Sequence, residues 1–251
     1  MKIYSRIRGK GRPLIFLHGF PMHQGIWDTF SDHFISSYTT VTLDLPGFGN
    51  SELLPEGFTL EDVAAEVISF IETHNLKNPV IVGHSLGGYV ALAMAAGRPD
   101  LIDGIVLFHS TALADSDERR ESRNKVIDFV NRNGAREFTT NFIAPLFADP
   151  QHADIERIRQ IAATTDKATV VGYTKAMRDR PDRTKTIRTY EKPTLFIAGA
   201  KDPGIPVSSI QEQANDCKKC EIYVMDGVAH MGMVENPTAA AGRIKDFLKK
   251  I

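Results

Sequence analysis

Seven short runs in the chain read as strands, at 3–7, 14–18, 39–44, 80–83, 104–109, 194–198 and 221–225, and most are apolar almost throughout. A strand with one wet face alternates between apolar and polar residues. A strand covered on both faces does not. These runs therefore require a sheet with a layer on each side, and the longer amphipathic stretches between them supply helices in a βαβ rhythm. The spacing predicts helices over 25–35, over 60–74 (where Val63, Val67, Phe70 and Ile71 share a face), from Ser85 to about 97, and over 238–250. The expected class is α/β, with a mostly parallel central sheet flanked by helices.

The rhythm breaks between Ser110 and about Tyr190. Charge is dense there (Asp115, Asp117, Glu118, Arg119, Arg120, Glu121, Arg123) and strand signals vanish until Pro193. Four helical patterns fit, at 117–132, 135–147, 152–164 and 167–178. We read 110–190 as a helical cap inserted between two parts of one core, 1–109 and 191–251. Connections at strand C-termini of an open α/β sheet surround the ligand crevice.

Composition removes several function classes. Thirty basic against 31 acidic side chains leave a formal charge of −1, without the positive excess a nucleic-acid binder or a basic membrane-surface protein needs. The longest apolar run, 90–96, is far too short to span a membrane. The N-terminus shows no apolar targeting core, so a cytoplasmic protein, monomeric or homodimeric, is expected. Cys217 and Cys220 form a lone C-x-x-C. It cannot complete a tetrahedral zinc site by itself and precedes a strand, so two free thiols are expected. Neither a metal nor a cofactor is expected.

The chemistry-bearing stretch is Gly83-His84-Ser85-Leu86-Gly87-Gly88. A buried strand ends, a serine follows, and a helix begins at once. A serine there could be a plain helix N-cap. The flanking glycines favour another reading: they let strand and helix backbones cross closely, so the turn holds Oγ clear of the sheet beside free helix N–H groups. A serine hydroxyl is a weak nucleophile and needs a base, which in turn needs a group to fix its tautomer. Asp202 follows the strand at 194–198, and His230 follows the strand at 221–225. Both therefore lie on the strand edge that carries Ser85.

These features, with His18-Gly19-Phe20-Pro21, Asp44-Leu45-Pro46-Gly47-Phe48-Gly49, Gly199-Ala200-Lys201-Asp202 and Ala229-His230, resemble the α/β-hydrolase family, in its group with a helical cap. The resemblance implies a Ser85–His230–Asp202 triad, with Asp115 as the alternative acid. It also implies an oxyanion hole from the backbone N–H groups of Phe20 and Leu86, and a serine esterase or thioesterase acting on a small-molecule substrate through an acyl-enzyme. Phe138, Phe142, Ile143, Leu146 and Phe147 are candidate pocket walls, and His109 is a candidate pocket residue. His84 and His18 read as residues that shape their loops, and Trp27 as a packing anchor. Relatives of this kind use the same triad for C–C bond hydrolysis, lactone opening, acyl transfer or perhydrolysis. A ligand receptor without turnover is the non-enzymatic alternative. The resemblance also implies two strands before 14–18, where this chain has room for one.

Overall fold

The computed structural model describes residues 1–251. Seven strands form one sheet: β1 (Ser5–Gly9), β2 (Arg12–Leu17), β3 (Tyr38–Leu43), β4 (Val80–His84), β5 (Gly104–Phe108), β6 (Thr194–Gly199) and β7 (Cys220–Met225). Their order is β1-β3-β2-β4-β5-β6-β7, with β1 antiparallel to β3 and every other pairing parallel. One strand precedes β2, as the sequence has room for, and it forms an edge. The chain leaves β2 toward β3 on one side and returns to β4 on the other. The C-terminal ends of β2 and β4 thus flank the switch point of the sheet, where such folds open a crevice.

The apolar runs explain the layering. Leu14, Phe16, Val80, Val82, Val106, Phe108, Leu195 and Ile197 belong to one core layer. Ile15, Leu17, Ile81, Ile105, Leu107, Phe196 and Ala198 belong to the other. Successive side chains point to opposite faces, so an unbroken apolar run serves two cores at once. Helices α1 (Leu60–Thr73) and α2 (Leu86–Gly97) pack in the second layer, and the long C-terminal helix Pro237–Leu248 in the first.

The 25–35 helix does not form. Two short 3-10 turns, Gln24–Trp27 and Ser31–His33, take its place. Side chains there capture backbone groups that a helix would use: Asp44 accepts from the Gln24 N–H, His23 from the Gly25 N–H, and Ser31 Oγ donates to the Asp28 carbonyl. Trp27 is fully buried among Phe16, Phe30 and Phe108.

Between β5 and β6 lie α3 (Asp117–Asn133), α4 (Ala135–Ile143), α5 (Ile155–Ala162), α6 (Lys167–Arg178) and α7 (Thr184–Thr189), with no strand among them. Helix α4 stops short of 147 because Pro145 removes a donor and restricts the residue before it. Ser116 caps α3, and Gly134, at φ +88°, ends it. Helix α6 is tied to the core loop after β3: Tyr173 Oη donates to the Pro46 carbonyl at 2.8 Å and Thr169 Oγ1 to the Gly47 carbonyl at 2.9 Å. Three further helices complete the chain: α8 (Val207–Asn215), α9 (Gly232–Glu235) and α10 (Pro237–Leu248). Helices α7, α8 and α9 have no counterpart in the sequence reading.

The two cysteines are not free thiols. Cys217 and Cys220 form a disulfide, because the tight turn from α8 into β7 brings their Cα atoms to 5.4 Å, within bridging reach. No helix is long and apolar enough to cross a membrane.

Candidate active site

The turn from β4 into α2 has the geometry the glycine spacing predicts. A Cβ on Gly83 would lie 2.4 Å from the Gly87 carbonyl oxygen. One on Gly87 would lie 2.3 Å from the Leu17 carbonyl oxygen. Strand, helix and the neighbouring strand therefore touch through backbone alone. Ser85 takes φ +50° and ψ −110°, a strained conformation for a residue with a Cβ. It is held there by its N–H to the Phe108 carbonyl at 2.9 Å and by Ser110 Oγ donating to its own carbonyl at 2.8 Å. Ser85 does not act as a side-chain cap of α2.

His230 Nδ1 donates to Asp202 Oδ2 at 2.7 Å. That bond fixes the neutral tautomer, leaving Nε2 as the acceptor. Asp202 Oδ1 accepts from the Gly204 and Ile205 amides at 2.9 and 3.1 Å, so both carboxylate oxygens are engaged. Burial alone raises this carboxyl; the charge and hydrogen bond of His230, the nearby His109 and the Gly204 amide outweigh it, and the pKa falls to about 2. The His230 backbone is pinned twice, by its N–H to the Leu146 carbonyl and by its carbonyl accepting from His84 Nε2, both at 2.9 Å.

Ser85, Asp202 and His230 line one cavity of about 270 Å³, together with Phe20, Tyr89, Arg119, Ser122, Arg123, Val126, Phe138, Phe142, Leu146, Thr174 and Met177. No hydrogen bond joins Ser85 Oγ to His230. Two amides lie at the same edge. Leu86 opens α2, so its N–H has no intrahelical acceptor. The Phe20 N–H, in the loop after β2, donates to no other group of the chain. His18 fixes that loop: Nε2 accepts from the Leu45 N–H at 2.9 Å, and Nδ1 donates to the Gly19 carbonyl. Burial lowers the His18 pKa to about 3.

Other expected residues lie elsewhere. Phe147 and Ile143 are buried in the core layer beneath α4, outside the cavity. His109, expected at the pocket, is fully buried behind Asp202: Nε2 accepts from the Gly232 N–H at 3.2 Å, and Nδ1 stands 3.7 Å from Asp202 Oδ2. Burial lowers its pKa to about 3. Its φ of +47° turns the chain sharply after β5, which carries the ring out of the pocket and under the carboxylate. Asp115, the alternative acid, is bonded to Arg123 and Arg180 instead of to His230. Arg180 is buried and stacks over Tyr89. Arg119 and Arg123 also line the cavity, although the dense charge run they belong to reads in sequence as a solvated helix face.

A model of the alpha/beta hydrolase family matches residues 14–243. Among curated relatives, the (E)-2-((N-methylformamido)methylene)succinate hydrolase of Acinetobacter baylyi is 24% identical over 89% of this chain and 85% of its own length. The 2-hydroxy-6-oxo-6-(2'-aminophenyl)hexa-2,4-dienoic acid hydrolase of Metapseudomonas resinovorans is 24% identical over 96% of this chain and 86% of its own. Among solved structures, a thermophilic esterase from Thermogutta terrifontis superposes with a TM-score of 0.93 at 28% identity, covering 99% of this chain and 93% of the other.

Proposed function

The chain belongs to the alpha/beta hydrolase family, and from that premise we propose that it is a cofactor-independent serine hydrolase cleaving a small carboxylic ester or thioester. One observation carries the reading: the 2.7 Å bond that His230 Nδ1 donates to Asp202 sets the His230 tautomer so that its free nitrogen is an acceptor in the cavity that holds the strained Ser85.

Ser85 Oγ adds to the carbonyl carbon as its proton passes to His230 Nε2. The negative charge that develops on the carbonyl oxygen is met by the Leu86 and Phe20 N–H groups, fixed in place before the reaction starts. Collapse breaks the bond to the leaving alcohol or thiol, which takes the proton from His230, and Ser85 is left acylated. Water, giving its proton to His230, adds to the acyl carbon; collapse breaks the bond to Ser85 Oγ, which takes that proton back from His230 as the acid is released. Asp202 stays ionised throughout and stabilises the imidazolium. Helices α3 to α7 serve as a cap that brings Phe138, Phe142 and Leu146 over the site.

The test is labelling with a fluorophosphonate. We expect modification of Ser85 in the native chain and none in Ser85→Ala or His230→Ala, together with turnover of para-nitrophenyl esters. A folded chain that neither labels nor turns over any ester would favour a binding protein. Cleavage of a hydroxy-oxo-dienoate in preference to esters would favour the C–C hydrolase reading, which the dienoic acid hydrolase among the relatives supports.

A further inference from the structure

Helix α3 presents Arg119, Ser122 and Arg123, three and four residues apart on one face, to the cavity that holds Ser85 and His230. Arg123 is braced from behind. Its Nε donates to Asp115 Oδ2 at 2.9 Å, and the Asp115 side chain is fully buried. Arg180 Nη1 donates to the other oxygen of Asp115 at 2.6 Å, and Arg119 Nε lies 3.7 Å away. Three guanidinium groups thus share one carboxylate, an excess of two positive charges beside the cavity. With Nε engaged, Arg123 Nη1 and Nη2 donate to nothing in the chain, and Arg119 uses one nitrogen on the Gly204 carbonyl. No protein acid answers them: Asp202, the acid that lines the cavity, has both oxygens taken by His230 and the loop amides. Val126, Phe138, Phe142 and Leu146 add an apolar stretch to the same wall. A guanidinium held by its Nε offers two parallel N–H donors, which match the two oxygens of a carboxylate.

We propose that the substrate carries a free carboxylate in addition to the bond that is cleaved, and that Arg123 binds it, with Arg119 beside it. This assignment rests on the hydrolase reading for its reaction, though not for its binding.

Two matched pairs test it. Para-nitrophenyl hydrogen adipate differs from para-nitrophenyl hexanoate by a terminal carboxylate on the acyl side. Para-acetoxybenzoate differs from its methyl ester by one on the alcohol side. The expected result is a kcat/KM preference for the acid in at least one pair, of about tenfold or more, the scale of hydrogen bonds to a charged group. Arg123→Gln should collapse that preference toward one, mainly through KM; if this variant fails to fold, the more exposed Arg119→Gln should reduce it. Equal rates within both pairs overturn the subsite and leave the hydrolase intact. Calorimetry on Ser85→Ala separates the two claims. Para-nitrophenyl hydrogen adipate binding tighter than para-nitrophenyl hexanoate, in a native chain that turns over no ester, keeps the subsite and removes the hydrolase.

Discussion

At the residue scale, each group in the candidate site is held by something the chain cannot easily give up. Gly83→Ala would force a Cβ to 2.4 Å from a carbonyl oxygen of a packed helix. We expect a loss of about 2 kcal/mol or more, by the logic of overpacking, read as a lower denaturation midpoint. Asp202→Asn should lower kcat by about 10³–10⁴, because the amide no longer fixes the productive tautomer; steady-state kinetics on a para-nitrophenyl ester measures it. The serine, histidine and acid were legible because each follows a strand that the apolar pattern reveals. His109 was not, since a positive φ after β5 turns it out of the pocket, and no sequence signal marks that turn. Arg123 was not legible either: only the packing of α3 against the core shows that this part of a charged run faces inward.

At the scale of elements, local signals decided boundaries well where caps and prolines act. Thr59 and Asp62 form a capping box at the start of α1, and Asn236 caps α10 with Pro237 in its first turn. The signals failed where side chains compete for the backbone, as in the two 3-10 turns that replace the 25–35 helix. They were also silent at α8, whose nine residues follow Pro206 with a mixed pattern. The joint between α6 and the core rests on few bonds. Tyr173→Phe deletes the donor to Pro46 O from a fully buried ring and leaves that carbonyl without its partner. A loss of about 1–3 kcal/mol is expected by chemical denaturation. Since α6 also contributes Thr174 and Met177 to the cavity, KM should rise as well.

For the whole molecule, the buried histidines set the response to acid. His18 and His109 have pKa values lowered to about 3 by burial, and His84 is lowered well below its ordinary 6.5 by the same cause. Unfolding frees all three to take up protons below about pH 6.5. The unfolded state therefore binds more protons across the window from about pH 6.5 to 3, and native stability falls as pH falls, by up to about 1.4 kcal/mol per pH unit for each group. Asp202, at about 2 in the native state, adds its own loss at the acid end of that window. Denaturant titrations at pH 7, 6, 5 and 4 should show this slope, and a flat profile would contradict the assignment of neutral, buried rings.

The order of the strands also bears on biosynthesis. The bond between His230 and Asp202 is built on β6 and β7, which leave the ribosome after the long helical stretch is already out. An emerging polypeptide carries Ser85 well before it carries His230. If the proposed chemistry holds, a translation product stalled before residue 230 is inert toward every ester in the cell, and reactivity switches on only as synthesis nears its end.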